Sequence, residues 1–151
     1  MKKITIIFTL LFAFFISDAQ EYVDFVSKDE IKIEYKWRKE SLFKKNSPYV
    51  LFLRITNTGV EKKLVSFELF YYLNATTHSR SGFKEYCIKP GKSISGKRWN
   101  LAFKSDIKTL EEIYDRSFMW EVEKLKVVNN ELCKTGLRLR LEPAHDMYLT
   151  R

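Results

Sequence analysis

The sequence YVLFLRITNTGVEKKLVSFELFYYL, residues 49–73, contains two strand patterns separated by one turn signal. Residues 49–56 are apolar until Arg54, which predicts a central strand that is buried on both faces. In residues 64–74 every second residue is apolar, which predicts a strand with one buried face. Between them, Asn57-Thr58-Gly59 forms a turn signal in which glycine can adopt a positive φ. The two strands are therefore predicted either to form an antiparallel hairpin or to face each other from two sheets.

The same two-residue period recurs along most of the chain. In residues 31–38 apolar and charged side chains alternate, which predicts a half-buried strand. The apolar positions of residues 118–128 change parity, which predicts a strand with a bulge near Glu123-Lys124. Residues 74–82 are polar and are predicted to be an exposed loop. The other predicted strands are residues 84–89, 97–103 and 137–141, and residues 22–26 are a weaker, shorter strand candidate.

One segment has helical spacing. Apolar residues recur every three or four positions in residues 107–115, and Thr109 and Glu112 have the spacing of a capping box. A short helix is predicted there. Short strands about ten residues apart, with a single helix, are typical of an antiparallel sandwich or barrel. A parallel sheet would need repeated long helices. We therefore predict an all-β fold, an antiparallel β-sandwich with one short helix near 107–115.

The first 19 residues have the three parts of a secretory signal peptide. Lys2 and Lys3 precede an almost entirely apolar run, residues 4–16, and the small residues Ser17 and Ala19 follow it. The run is too short for a membrane-spanning helix, which needs about 20 residues. We expect cleavage after Ala19 and export to the periplasm or beyond. Residues 20–151 are then a single domain without a transmembrane segment.

The two cysteines, Cys87 and Cys133, would enter an oxidising compartment after export. An even number of two permits one intramolecular disulfide, and a redox pair would more often have the Cys-x-x-Cys spacing. We predict a structural Cys87–Cys133 bridge whose Cα atoms lie roughly 4.4–6.8 Å apart. Two free thiols are the alternative.

The chain has 27 Lys and Arg against 19 Asp and Glu, a net charge of +8. This excess favours anionic partners. Since an exported protein rarely meets nucleic acid, a protein or an acidic glycan of the envelope is the expected partner. Lys32, Lys36 and Arg38 share the outer face of one predicted strand, and Arg138 and Arg140 that of another. Neighbouring strands would join them into a basic strip, although charges on edge strands also prevent aggregation.

A second basic segment is the loop after residue 38. There Lys39, Lys44 and Lys45 surround Phe43, a combination that could contact an anionic surface. The alternative to ligand binding by these basic residues is a solvated surface that only improves solubility.

Catalytic patterns are sparse. The two histidines, His78 and His145, fall in polar segments, and no Gly-x-Ser-x-Gly motif, phosphate-binding loop or metal-binding motif is present. Glu121 and Glu123 share one strand face at about 7 Å, a spacing that paired carboxylates of glycan hydrolases use. Lysines follow immediately, which is more typical of a solvated face. We therefore expect a protein without catalytic residues, metal or cofactor.

Residues 53–59, Leu-Arg-Ile-Thr-Asn-Thr-Gly, followed by the alternating residues 65–73, resemble secreted bacterial immunoglobulin-like modules. The turn at residues 90–93 is also similar to a late turn of such sandwiches. Antibody-type domains have a tryptophan about midway between their two cysteines, and this chain lacks one at that position. The predicted disulfide is therefore not taken from that family. The resemblance implies a binding or assembly module.

The functional expectation is an exported, non-enzymatic binding or assembly module that acts through its loops or a sheet edge. A closed β-barrel that carries a small ligand is the alternative, because the chain is rich in aromatic residues. However, the Gly-x-Trp that begins a lipocalin-like barrel is missing at Trp37. A hydrolase that uses Glu121 and Glu123 is a minor alternative.

Overall fold

A computed structural model describes residues 21–41 and 43–133 of the chain. Within them strands of 3 to 12 residues form two sheets, with a five-residue helix and a single 3-10 turn between strands. The elements are β1 (Val23–Lys28), β2 (Ile31–Lys39), β3 (Tyr49–Asn57), β4 (Lys63–Leu73), β5 (Thr76–Arg80), β6 (Lys84–Ile88), β7 (Ser93–Ser95), the 3-10 turn Lys97–Trp99, β8 (Ala102–Lys104), α1 (Leu110–Tyr114) and β9 (Phe118–Asn129).

Each sheet is organised around one central strand, and every pairing is antiparallel. In the first sheet β3 pairs along its whole length with β2, which pairs with β1. Two short strands, β7 and β8, share the opposite edge of β3. In the second sheet β4 pairs with β9 along its length, while β6 and β5 share its other edge. The described residues therefore form an antiparallel β-sandwich and no closed barrel, which confirms the predicted fold class.

The core lies between the two sheets. Its largest fully buried side chains include Trp37 and Leu53 from the first sheet and Phe67 from the second. One lateral opening of the sandwich is covered by aromatic rings: Phe25 of β1 stacks on Trp120 of β9, with ring centroids 4.5 Å apart. Continuous apolar packing of this kind is the main stabilising force of a domain of this size.

Several strand predictions are confirmed in detail. Residues 31–38 are a half-buried strand, and the strands on either side of residues 57–59 face each other from the two sheets. The bulge predicted near Glu123-Lys124 is present: β9 changes register there, and Lys124 has a positive φ of 53°. It places four apolar side chains of β9 against the core, those of Trp120, Val122, Leu125 and Val127.

Three strand predictions are wrong. Strand β3 is central but buried on one face only, because Phe52, Arg54 and Thr56 point outward and are partly exposed. The predicted loop 74–82 contains β5, which a tight turn at Asn74-Ala75, both with positive φ, folds back onto β4. The predicted strand 97–103 is a 3-10 turn followed by β8, because the chain bends at Gly96 after the unpredicted β7. The predicted strand 137–141 lies outside the described residues.

The short helix is confirmed as α1, at Leu110–Tyr114. Thr109 is its N-cap: its hydroxyl accepts a hydrogen bond from the backbone N–H of Glu112 at 3.2 Å. The Glu112 carboxylate in turn accepts from the backbone N–H of Lys108 at 3.0 Å, one residue before the cap. These bonds satisfy backbone donors that a helix of this length leaves free. Ile113 is buried and fixes the helix to the end of the sandwich.

Asn57, at the end of β3, joins the two sheets through a fully buried side chain. Its amide nitrogen donates to the carbonyl of Glu61 at 2.7 Å and to the carbonyl of Ile88, on β6, at 3.0 Å. Its amide oxygen accepts from the backbone N–H of Gly59 at 2.9 Å. The side chain therefore holds the turn between the sheets and the end of a strand in the second sheet.

Gly59 is required by a close approach rather than by its φ, which is not positive. A Cβ at this position would lie 2.7 Å from the carboxyl carbon of Glu30. That carboxylate is fixed by Lys63, whose buried ammonium is 2.7 Å away and also donates to Asn129. The expected role of Gly59 in a positive-φ turn is therefore wrong, because the constraint comes from the neighbouring hairpin.

The Cys87–Cys133 pair is bonded, with Cα atoms 5.8 Å apart. Cys87 lies opposite Leu64, which in turn pairs with Val128, so the bridge lies over the outer face of the second sheet. It fastens the segment after β9 to β6. The spatial prediction for the two cysteines is therefore confirmed.

Reduction of the disulfide is expected to lower the melting temperature by about 10 °C. The bridge closes a loop of 46 residues in sequence, and its restriction of the unfolded chain is worth about 4 kcal/mol. Differential scanning calorimetry with and without dithiothreitol measures the shift. A Cys87→Ser/Cys133→Ser variant is the control and should not respond to dithiothreitol. Two reactive thiols in denatured, unreduced protein would contradict the bridge.

Asn57→Ala is expected to lower the free energy of unfolding by about 2–4 kcal/mol, because it leaves buried backbone groups without partners. Urea denaturation of the variant and the wild type measures the difference. Asn46→Ala, at an exposed position in the loop after β2, is the matched control and should change stability by less than about 0.5 kcal/mol. Equal stability of the two variants would show that the Asn57 bonds do not hold the sheets.

Candidate functional site

The outer face of the first sheet carries a cluster of cations around two aromatic rings. We call it the cationic face and define it by Tyr22, Lys36, Arg38, Phe52 and Arg54. The register of β2 and β3 builds it, since Lys36 lies opposite Phe52, and Arg54 follows two residues later on the same side. Side chains at such positions stand about 5–7 Å apart, close enough to contact one ligand together.

Arg54 and Glu34 form a bidentate ion pair across β2 and β3. The Arg54 Nε and Nη2 atoms donate to the two Glu34 carboxylate oxygens at 2.6 and 2.7 Å. The hydrogen bonds from Arg54 hold the pKa of the Glu34 carboxyl below its usual value, opposed by burial and helped by Lys32. The fork geometry fixes the guanidinium, so its position on the face is rigid.

Lys32 is neutralised by its neighbours. Its ammonium lies 2.7 Å from an Asp24 oxygen and 3.3 Å from a Glu34 oxygen. Hydrogen bonds to these two carboxylates raise the pKa of Lys32. Its charge is therefore compensated within the sheet and contributes little to the attraction of an anionic ligand.

The ammonium of Lys36 differs from that of Lys32 in its surroundings. No carboxylate among the described residues lies within salt-bridge distance of its ammonium, which lies 4.4 Å from the centroid of the Tyr22 ring. The Arg54 guanidinium carbon lies 4.2 Å from the same centroid, so two cations contact one ring. Burial lowers the pKa of Lys36, and repulsion from Arg38 and Arg54 lowers it further. Positive charge is concentrated here, and part of it is uncompensated.

The predicted basic strip is only partly present. Lys36 and Arg38 belong to the cationic face, with the Arg38 side chain exposed. Lys32 lies on the same side of β2 but is neutralised. Arg138 and Arg140 lie outside the described residues, so their predicted contribution stays a prediction.

Sequence reasoning missed Arg54 and Tyr22. Arg54 was assigned to a strand buried on both faces. The signal that could have found it is its parity, because it shares the side of β3 that also carries Thr56. Tyr22 precedes β1 and has no periodic pattern, and only the approach of Lys36 and Arg54 identifies it.

The loop between β2 and β3 extends the positive surface. The Phe43 side chain is almost completely exposed, at 99 %. Lys39 reaches back to the carbonyl of Lys45 at 3.3 Å, which holds the loop against the end of β2. Glu40 pairs with Lys104 at 2.6 Å, and this bond lowers its pKa. The Lys44 side chain is exposed beside Phe43.

The Glu121–Glu123 pair lies on the outer face of the second sheet and is not arranged as two free carboxylates. Glu123 accepts a hydrogen bond from the hydroxyl of Tyr72, and this bond raises the pKa of Tyr72 to about 12. Glu121 is exposed opposite Phe70 in the neighbouring strand. His78 lies on β5 rather than in a loop, with its Nε2 atom 3.3 Å from an Asp106 oxygen. His145 lies outside the described residues.

Within residues 21–41 and 43–133, no group of three or more His, Cys, Asp or Glu side chains could hold a metal ion. In the same part of the chain, no helix is long and apolar enough to cross a membrane.

Loss of the Glu34 carboxylate should change how stability depends on pH. The folded-state pKa of Glu34 is below its usual value of 4.5. The ionised carboxylate therefore stabilises the folded protein fully at pH values above 4.5. The contribution is lost as the pH falls through the lower, folded pKa. Urea denaturation should therefore show Glu34→Gln less stable than the wild type at pH 7, with the difference shrinking towards pH 3. Glu131→Gln, an exposed position, is the control. A difference independent of pH would contradict the ion pair.

No protein family, no curated protein sequence and no solved structure matches this chain, so the resemblance to immunoglobulin-like modules stays a prediction.

Proposed function

We propose that this protein is an exported, non-enzymatic binding module that holds an acidic glycan on its cationic face. The observation that carries the proposal is the uncompensated charge at Lys36, beside Arg38 and around the ring of Tyr22. In water such a cluster repels itself, and a ligand that brings carboxylate or sulfate groups relieves that repulsion.

The form of the face favours an extended ligand. Its side chains project from the middle of two paired strands, so they present a broad surface rather than a pocket. Lys36 and Arg38 are two residues apart on one strand, a separation of about 7 Å, which lets each contact a different anionic group of a polymer. Phe52 is partly exposed between them and the Arg54 guanidinium, and it supplies an apolar surface for the face of a sugar ring.

The rigid guanidinium of Arg54 adds hydrogen-bond donors of fixed orientation to this attraction. Because Glu34 already holds the guanidinium, little side-chain entropy is lost when a ligand contacts its remaining N–H groups. The neighbouring loop, with Lys44 and the exposed Phe43, extends the same surface towards longer ligands. Export by the N-terminal signal would place this surface in the periplasm or outside the cell, where acidic glycans are available.

The closed-barrel carrier receives no support from the architecture of the described residues. Their interior is filled by packed side chains from two open sheets, without a barrel lumen. Glycan binding without cleavage is also favoured over hydrolysis, since Glu123 is already occupied by Tyr72.

Replacing Lys36 and Arg38 by Gln is expected to weaken binding to polygalacturonate about tenfold, because about 1.4 kcal/mol of ion pairing is lost. The mature chain is bound to immobilised polygalacturonate and eluted with sodium chloride, and dextran serves as the neutral matrix. Wild type should be retained on the acidic matrix only, and the double variant should elute at lower salt.

Lys89→Gln/Lys92→Gln is the matched control, because it removes two exposed charges at the turn between β6 and β7. It should be retained like the wild type. Equal weakening by both double variants would show that binding depends only on the net charge of the protein, and it would overturn the proposal. Retention on polyglutamate but not on polygalacturonate would identify an acidic protein as the partner instead.

A further inference from the structure

A groove of about 650 Å³ lies at the end of the sandwich where β4 ends and β9 begins. Its floor is apolar and consists of Tyr71, Leu73, Ile107 and Phe118. The Leu73 side chain is 40 % exposed although it continues the buried side of β4, so apolar surface is open to solvent here. The volume is within the range of pockets that bind small organic molecules, about 300–1,000 Å³.

The aromatic rings of the floor are buried and leave no free hydrogen-bonding group, since Tyr71 is 3 % exposed and Phe118 9 %. The rings of Tyr71 and Phe118 stack with centroids 5.8 Å apart. The buried Tyr71 hydroxyl donates to the carbonyl of Phe103 at 3.1 Å, and burial raises its pKa. A ligand on this floor would therefore contact mainly the aliphatic side chains of Leu73 and Ile107, and its polar recognition must come from the rim.

The rim is acidic. Asp106, Glu111, Glu112 and Asp115 all line the groove, whereas none of its described lining residues is Lys or Arg. This reverses the balance of the chain, in which basic residues outnumber acidic ones by 27 to 19. The other titratable side chains in the described lining are the buried Tyr71 and His78, and His78 contacts Asp106.

The rim is held in place by the backbone. The carbonyl of Ile107 accepts from the N–H of Tyr49 at 2.7 Å, which fastens the segment before α1 to β3. The buried Ile113 fixes the helix itself. After the helix, Asp115 accepts from the N–H of Ser117 at 2.7 Å, and the Ser117 hydroxyl together with this N–H lowers the pKa of Asp115. The carboxylates therefore surround a groove that exists without a ligand.

We propose that this groove is a second binding site, which takes a small organic cation with an apolar or aromatic body. The apolar floor buries the body, and the carboxylates pair with the cationic group at the rim. Charge complementarity favours a cation over an anion, since the described lining contains four carboxylates and no Lys or Arg, and these carboxylates would repel an anion. The site shares no residue with the cationic face and does not depend on glycan binding.

The test compares two probes that share a ring and differ in charge, 1-naphthylmethylammonium and 1-naphthylacetate. Isothermal titration calorimetry of the mature chain should detect the ammonium and not the acetate. Backbone NMR shifts on addition of the ammonium should be confined to the groove, with Leu73 and Ile107 among the residues that move. Failure of the ammonium to bind, equal binding of both probes, or shifts elsewhere would each overturn the proposal.

Variants separate the two parts of the site. Asp106→Asn/Glu111→Gln removes two exposed carboxylates and should weaken binding of the ammonium about tenfold. Leu73→Asn makes the floor polar and should weaken binding by a similar factor while the rim is intact. Glu21→Gln/Glu131→Gln, which removes two exposed carboxylates elsewhere, should bind like the wild type. Unchanged affinity in Asp106→Asn/Glu111→Gln would overturn the role of the rim. Melting curves establish that each variant is folded.

Discussion

The buried amide of Asn57 is the interaction on which the arrangement of the two sheets depends. It lies where the chain leaves the first sheet, and its three hydrogen bonds reach the turn and the last residue of β6. Hydrophobic packing is not directional and would tolerate several offsets between the sheets. Hydrogen bonds to particular backbone groups do not tolerate such offsets, so this side chain selects one position of the turn and of the end of β6 relative to β3.

The two candidate sites depend on different parts of this arrangement. The cationic face needs β2 and β3 in one register, since Lys36, Phe52 and Arg54 come from two strands. The acidic groove instead lies at the sandwich end, where the floor comes from β4, β9 and the segment before α1. One site thus depends on pairing within a sheet, and the other depends on packing between sheets.

Two-residue periodicity was sufficient to predict the sandwich, the strand at residues 31–38 and the bulge of β9, because burial against one core imposes that period. It failed where the local structure is determined by neighbours. β5 is exposed along its length and has no apolar period, so its pairing with β4 is not encoded in its own composition. The groove combines residues from β4, β5 and the stretch 105–118, and Arg54 is matched to Glu34 only through register. Tertiary contacts of this kind have no short-range signal.

The lateral edges of both sheets also determine how this protein behaves beside other copies of itself. Within the described residues, two of the four edges consist of short strands placed end to end, β7 with β8 and β5 with β6. The other two edges, β1 and β9, each contain a register shift, at Phe25 and at Lys124. No edge therefore offers a long, regular row of free N–H and C=O groups on which a foreign strand could grow. A β-rich chain built in this way resists edge-to-edge aggregation at high concentration.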